Sequence, residues 1–392
     1  MCCDTTASNT GRYNGACSIL EQKMERELLL FACRHHVYEL VLKSIFEAKI
    51  PQVTRSPDIP LFKKFKDNWK NVNPSVFETC PDFVKKHVND AVRSELLGFY
   101  WKELKKNTVR DDYRELIELS VIYLGGDSEN KLKIKPPGAM HQARWMARAI
   151  YAIKMFLLKD QIKISAKDKR ALQDVSLFIA TSYVKPWLQC NMAVKAPNQG
   201  LCFLKTLKRY EAIDKVISKA ALDKFCKHLW YLTDEVAILA IFDDELDDEV
   251  KIRMISKLEY DNEKPCHLEK RYVPSKQEIA NTLFTKCLDD FVSTKSKHLF
   301  TRLKIDTSFL SVPVLMWSQN DAYLNAKSKI STLRAVNDTA ERAVKLMQDF
   351  HGLITADEEQ KQFLLRCVQE HRKLYPDCKK ATLRKMYPKY HF

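Results

Sequence analysis

Glycine and proline are scarce, at 8 and 14 in 392 residues. An all-β protein needs tight turns at short intervals, and a long disordered linker draws on the same residues. The scarcity excludes both. No N-terminal apolar run resembles a signal peptide, and no stretch is long and apolar enough to span a bilayer, so no membrane partner is expected. The 12 cysteines follow no short repeating spacing. A chain of this length buries a real core and needs no disulfide framework, so they read as reduced thiols of a nuclear or cytoplasmic protein. No 20–50-residue period recurs, which excludes a solenoid. A glycine-rich phosphate loop, a serine-nucleophile motif and a dinucleotide fingerprint are all missing.

What is present is a helix-rich, basic chain. Hydrophobic residues make up 45% and charged residues 29%, and the formal net charge is +15. Such an excess suits a polyanion, because Lys and Arg displace condensed counterions from phosphates. It also suits plain solubility on helix surfaces. Apolar residues recur at helical spacing from Ile19 to Ala48. Three prolines between 51 and 60 break the pattern. Beyond them, helices are predicted near 61–70, 81–105, 111–124, 139–160, 165–189, 211–231, 232–242 and 275–296, with breaks at Gly125-Gly126, Pro136-Pro137, Pro197-Asn198 and around Pro265. Strand signals sit at the two ends: residues 1–4 read as the tail of a strand followed by a polar loop from Thr5 to Gly15, and Ser331 to Val336 reads as a short strand. A helical block inserted into an α/β domain explains this order; an all-α protein with buried apolar helix segments explains it as well.

Each candidate for chemistry has a plain reading beside it. Asp4 ends the first strand, where a carboxylate is well placed for a metal, yet Asp also simply starts turns. Cys33 and His36 are three apart on a helix, the spacing of half a zinc site, but no second pair matches, so a packing Cys and a hydrogen-bonded His suffice. Arg144-Trp145 offers a phosphate contact and a stacking ring, or a core Trp beside an exposed Arg. Asp338-Thr-Ala-Glu341 fits a capping box, which accounts for Glu341 without catalysis. The acidic run Asp243–Glu249 reads as a solvated face or loop.

Taken in order, Asp4-Thr-Thr-Ala-Ser-Asn-Thr-Gly, Cys33-x-x-His36, Arg144-Trp145, Val312-Pro-Val-Leu-Met-Trp317 and Asn337-Asp-Thr-Ala-Glu341-Arg342 resemble the motif series of hAT-superfamily DNA transposases and of host proteins derived from them. The resemblance implies a mostly α chain with an incomplete RNase H-like α/β core interrupted by a large α-helical insertion. Residues 1–50 would be the first part of that core, 51–305 the insertion, and 306–392 the second part with a dimerisation region and a basic tail. It further implies Asp4 and Glu341 as catalytic, metal-binding acids for Mg or Mn, Cys33 and His36 as site-supporting residues, Arg144 and Trp145 as DNA-binding residues, and a homodimer formed through the C-terminal region. The family's first acid lies on an upstream strand, and Met1 stands three residues before Asp4. Two acids are a poor cage for two hard cations. The expectation is therefore a truncated, transposase-derived DNA-binding protein, catalytically defective as written. An active strand transferase and a non-catalytic helical interaction protein are the rivals.

Overall fold

A two-residue strand, β1 (Cys2–Cys3), opens the chain and pairs in parallel with β2 (Phe31–Ala32), Cys2 opposite Phe31 and Cys3 opposite Ala32. In this computed structural model the described residues are 1–11, 13–50, 59–79, 81–106, 111–127, 132–138, 146–259 and 269–337. Helices α1 (Ala7–Thr10) and α2 (Ala16–Lys23) connect the two strands. The sequence reading of one helix from Ile19 to Ala48 is thus corrected. The apolar run Leu28–Ala32 fits a helix and a buried strand equally well, and pairing with β1 decides for the strand at Phe31–Ala32.

Helix α3 (Arg34–Lys49) follows directly and is the central element. Its buried residues Val37, Tyr38, Val41, Leu42, Ile45 and Phe46 recur at 3.6-residue spacing. They pack chiefly along the helix Lys215–Phe225. At its C-terminal end the Lys49 ammonium bridges Asp174 at 2.5 Å and Asp214 at 2.7 Å, a position where a cation also suits the helix dipole.

Six helices follow: α4 (Pro60–Asp67), α5 (Pro81–His87), α6 (Asp90–Leu104), α7 (Asp111–Tyr123), α8 (Ala147–Leu157) and α9 (Ala166–Phe178), of which α8 and α9 pack on α3 and α7 and α6 extend the stack from α8. The expected helix over 81–105 divides at Asn89, which is extended and accepts from the Val92 N–H at 2.8 Å as the N-cap of α6. The expected break at Gly125 is present, with the glycine at φ +68°. Arg93 of α6 donates to the Leu124 and Gly125 carbonyls at 2.7 and 3.0 Å, satisfying that helix end. Helix α9 continues through one π turn, Ile179–Tyr183, into α10 (Val184–Gln189), so the predicted 165–189 helix is one rod with a bulge.

The second half holds α11 (Ala196–Arg209), α12 (Lys215–Phe225), α13 (Asp234–Ala237), α14 (Asp248–Glu259), α15 (Lys276–Asn281), α16 (Lys297–Leu303) and α17 (Asp321–Ser331). Pro197 does not end a helix; it lies in the first turn of α11, where its missing N–H costs nothing. Asp243, at the head of the acidic run, is buried rather than solvated, while Asp244 and Glu245 pair with Lys327 and Lys195 at 2.5 and 2.7 Å.

The strand expected at 331–336 is smaller than predicted and lies elsewhere. Helix α17 runs to Ser331, and the extended part pairs with residues 191–193: Ala193 N–H donates to Leu333 O and Ala335 N–H to Asn191 O. It does not join the β1–β2 sheet, which has two strands among the described residues. Its end still meets α3, where the Arg34 N–H donates to Ala335 O at 2.8 Å. The described part is mostly helical and belongs to one unit, Met1–Asn337. No helix among the described residues is long and apolar enough to cross a membrane.

Candidate functional site

The carboxyl end of the two-stranded sheet faces the first turn of α3, and this is where Asp4, Cys33 and His36 meet. Asp4 follows β1. Its Oδ1 accepts from the Thr6 N–H at 2.9 Å, the Thr6 hydroxyl at 2.6 Å and Asn9 Nδ2 at 2.6 Å. Burial pushes its carboxyl up, but these bonds and the nearby His36 outweigh it and hold the carboxyl below its ordinary value. The Thr6 bond makes an Asx turn, so the turn role weighed from sequence is real.

Cys33, Arg34, His35 and His36 divide their tasks. Cys33 is fully buried at the N-cap of α3. Its thiol falls to about 7: the Cys2 thiol bonded to it lowers it, burial opposes, and the N–H groups of His36 and Asn337 lower it further. The Asn337 nitrogen stands 3.3 Å from Cys33 Sγ. The buried Arg34 guanidinium donates to Cys190 O (3.3 Å), Gln199 Oε1 (2.7 Å) and the Tyr38 hydroxyl (2.9 Å), and lies over the Tyr38 and Tyr231 rings. Tyr231 in turn donates to Ala32 O at 2.7 Å, fixing β2. His35 belongs to the core, stacked on Trp187 with ring centroids 4.0 Å apart. His36 is the half-buried member facing Asp4; burial lowers its pKa and the Asp4 charge partly restores it.

A second histidine stands close by. His228 accepts from Trp230 Nε1 at 3.4 Å. Burial first, then Arg271, Lys224, His36 and Lys227, bring its pKa down from 6.5 to about 4. Its folded pKa lies below its unfolded one. Its contribution to stability is therefore complete above pH 6.5 and is lost as the pH falls from there through about 4. The expected result is a melting temperature that drops more steeply across that window in the wild-type protein than in His228→Gln. Parallel curves would contradict a neutral, half-buried imidazole.

Glu39, one turn beyond His36 on α3, receives the Met146 N–H at 2.9 Å and the Tyr183 hydroxyl at 2.7 Å. Burial raises its carboxyl, against the Tyr183 bond and the Arg148 charge. Arg144, Trp145 and Glu341 lie outside the described residues. Their neighbours do not: Met146 is anchored on Glu39 and Asn337 on Cys33. Among the described residues no group of three or more His, Cys, Asp or Glu side chains is arranged to hold a metal ion.

The chain matches no family model, no curated protein and no solved structure. What the site can do follows from its own groups: an ionised carboxylate, a thiol of lowered pKa, two depressed imidazoles and a buried guanidinium. Sequence reasoning missed Cys2, Cys3, Cys17, Arg34 and His228. No spacing signal links them, because the contacts join β1, β2, α2, α3 and the turn after α12 across long stretches of chain.

Proposed function

We propose that this is a transposase-like, nucleic-acid-binding protein of hAT descent that binds DNA and self-associates without cutting it. One observation carries the reading. Described residues of, or next to, four motifs far apart in sequence meet the first half of α3: Asp4 beside His36, Cys33-x-x-His36 itself, Met146, the residue after Arg144-Trp145, on Glu39, and Asn337, which opens the Glu341 motif, on Cys33. The +15 net charge gives such a protein its affinity for phosphate.

Of the two acids implied as metal ligands, Asp4 is among the described residues and Glu341 lies outside them. Asp4 Oδ1 already accepts three hydrogen bonds, and no metal-holding group is present among the described residues.

Fluorescence anisotropy with a labelled duplex tests it. Binding is expected at 50 mM salt and should weaken by about a hundredfold by 200 mM, as for about four neutralised phosphates. No binding at 50 mM salt would sink the proposal. The rival, a helical interaction protein, would then gain from Leu315 and Met316, which stand 81% and 54% exposed.

A further inference from the structure

We propose, on the DNA-binding reading above, that the outward face of α4 and of the turn after it is the surface that holds the phosphate backbone of duplex DNA. Helix α4 and the turn Trp69–Asn71 carry Lys63, Lys64, Lys66 and Lys70, all exposed. The helical bonds continue through Asn68, whose N–H donates to Lys64 O at 3.0 Å. Lys63, Lys66 and Lys70 recur at the spacing i, i+3, i+7, which puts them on one side of a helix. The other side is taken up by packing. Leu61, Phe62 and Phe65 are buried. The Phe62 ring centroid lies 5.2 Å from that of Phe46 in α3 and 5.0 Å from that of Tyr151 in α8, and Phe65 lies edge-on to Trp69 at 5.7 Å. The core thus fixes which side of α4 meets solvent.

The charge on that side is not answered by the protein. Asp67 is the one carboxylate among residues 60–71, and it is exposed as well. No salt bridge to any of the four lysines is found among the described residues. Other surface lysines are held by carboxylates: Lys135 by Glu118, Lys185 by Glu95 and Lys195 by Glu245, at 2.8, 2.7 and 2.7 Å. The helix dipole gives a structural reason for Lys64 and Lys66 in the last turn of α4. It gives none for Lys63 and Lys70, which stand before and after that turn.

The dimensions suit a nucleic-acid strand. At helical rise the row from Lys63 to Lys70 is about 10 Å long. A DNA strand presents a phosphate about every 3.4 Å along its axis, so the row faces about three of them. Lysine meets phosphate as a point charge, and such contacts position a duplex without reading its bases. An anionic membrane is the rival polyanion. A helix that binds a membrane surface inserts its apolar side, and in α4 that side is already buried.

Fluorescence anisotropy of the full chain with a labelled duplex, between 50 and 200 mM salt, tests the assignment. The triple variant Lys63→Gln, Lys66→Gln, Lys70→Gln should cut the weakening over this range from about a hundredfold to about fourfold, because each lost phosphate contact lowers the salt slope by about 1. The triple variant Lys215→Gln, Lys219→Gln, Lys227→Gln removes the same charge from α12 and the turn after it, and should keep the wild-type slope. All six side chains are exposed, so both variants should fold, and circular dichroism checks this. A wild-type slope in the α4 variant would overturn the assignment and leave the DNA-binding reading standing. Equal losses in the two variants would overturn it as well, since net charge alone would then carry binding. Capture by phosphatidylserine vesicles that the α4 variant loses, with its DNA binding unchanged, would give the face to a membrane instead. No binding by the wild type at 50 mM salt would end the DNA-binding reading and the assignment together.

Discussion

Replacing Lys154 by Met should cost about 3–5 kcal/mol of unfolding free energy, among the largest effects of any single substitution in this chain. The Lys154 side chain is completely buried and that of Glu115 is 8% exposed, and the two form an ion pair between α8 and α7. The same ammonium donates to the carbonyls of Lys135 and Pro136 at 2.7 and 3.2 Å. Methionine keeps the aliphatic stem and removes only the charge. It takes the ammonium away from a buried carboxylate and two carbonyls, and removing one partner of a buried pair costs far more than the pair itself contributes. Urea denaturation of Lys154→Met, Glu115→Leu and the double variant gives the coupling. The double variant should recover most of the loss, because two apolar side chains of similar volume replace a desolvated pair at little net cost. A single-variant loss below about 1 kcal/mol would mean that the pair is solvated. The effect also bears on the proposed function. Lys154 secures residues 135–136, and the Tyr151 hydroxyl holds Gly138 O at 2.5 Å. On the far side of Arg144-Trp145, Met146 is held by Glu39. The segments flanking that motif are thus fixed from both sides by buried polar contacts.

The helical layer was legible in the sequence wherever an apolar face and a stop signal agreed. Helix α7 ends at a glycine with positive φ, and the helix predicted over 165–189 continues through its π turn because the backbone stays helical on both sides of it. Where the signals were local but the cause was tertiary, the reading failed. Phe31-Ala32 has the spacing of a helix and becomes a strand only because β1 lies beside it. Pro197 looks like a break and is a helix start, since the same missing N–H serves both. Ser331–Val336, which a catalytic reading of Glu341 requires in one sheet with residues 1–4, instead lies along residues 191–193, a choice of partner that no local pattern encodes. The candidate site was half legible. Asp4, Cys33 and His36 could be named, and the structure brings them to one sheet end. The approach of the Cys3 and Cys17 thiols, 3.6 Å apart, could not, because the two residues are separated by 14 positions and meet only through the turn of α1 into α2.

Trp187→Ala should destabilise the protein by about 3–5 kcal/mol, as expected for removing a fully buried indole. The ring has His35 stacked 4.0 Å away, Tyr183 at 5.6 Å and Tyr113 edge-on at 6.3 Å. It stands one turn beyond the π turn, whose extra residue sets the direction in which α10 meets α3. His35 would lose its stacking partner but keep the Trp187 carbonyl, 3.1 Å from Nε2, since that oxygen is backbone. The loss is therefore mostly one of packing, and Trp187→Phe should retain more than half of it. The consequence reaches the candidate site through the helix. His35 lies in the first turn of α3, between fully buried Cys33 and half-buried His36, so a cavity beneath it loosens the turn that shields the Cys33 sulfur. Alkylation of Cys33 by iodoacetamide under native conditions should then be faster in Trp187→Ala than in the wild type, and close to wild type in Trp187→Phe. If stability falls as expected while Cys33 stays equally protected, Trp187 supports the α10 contact alone, and the shielding of the thiol comes instead from β1 and the 333–337 segment that lies against it.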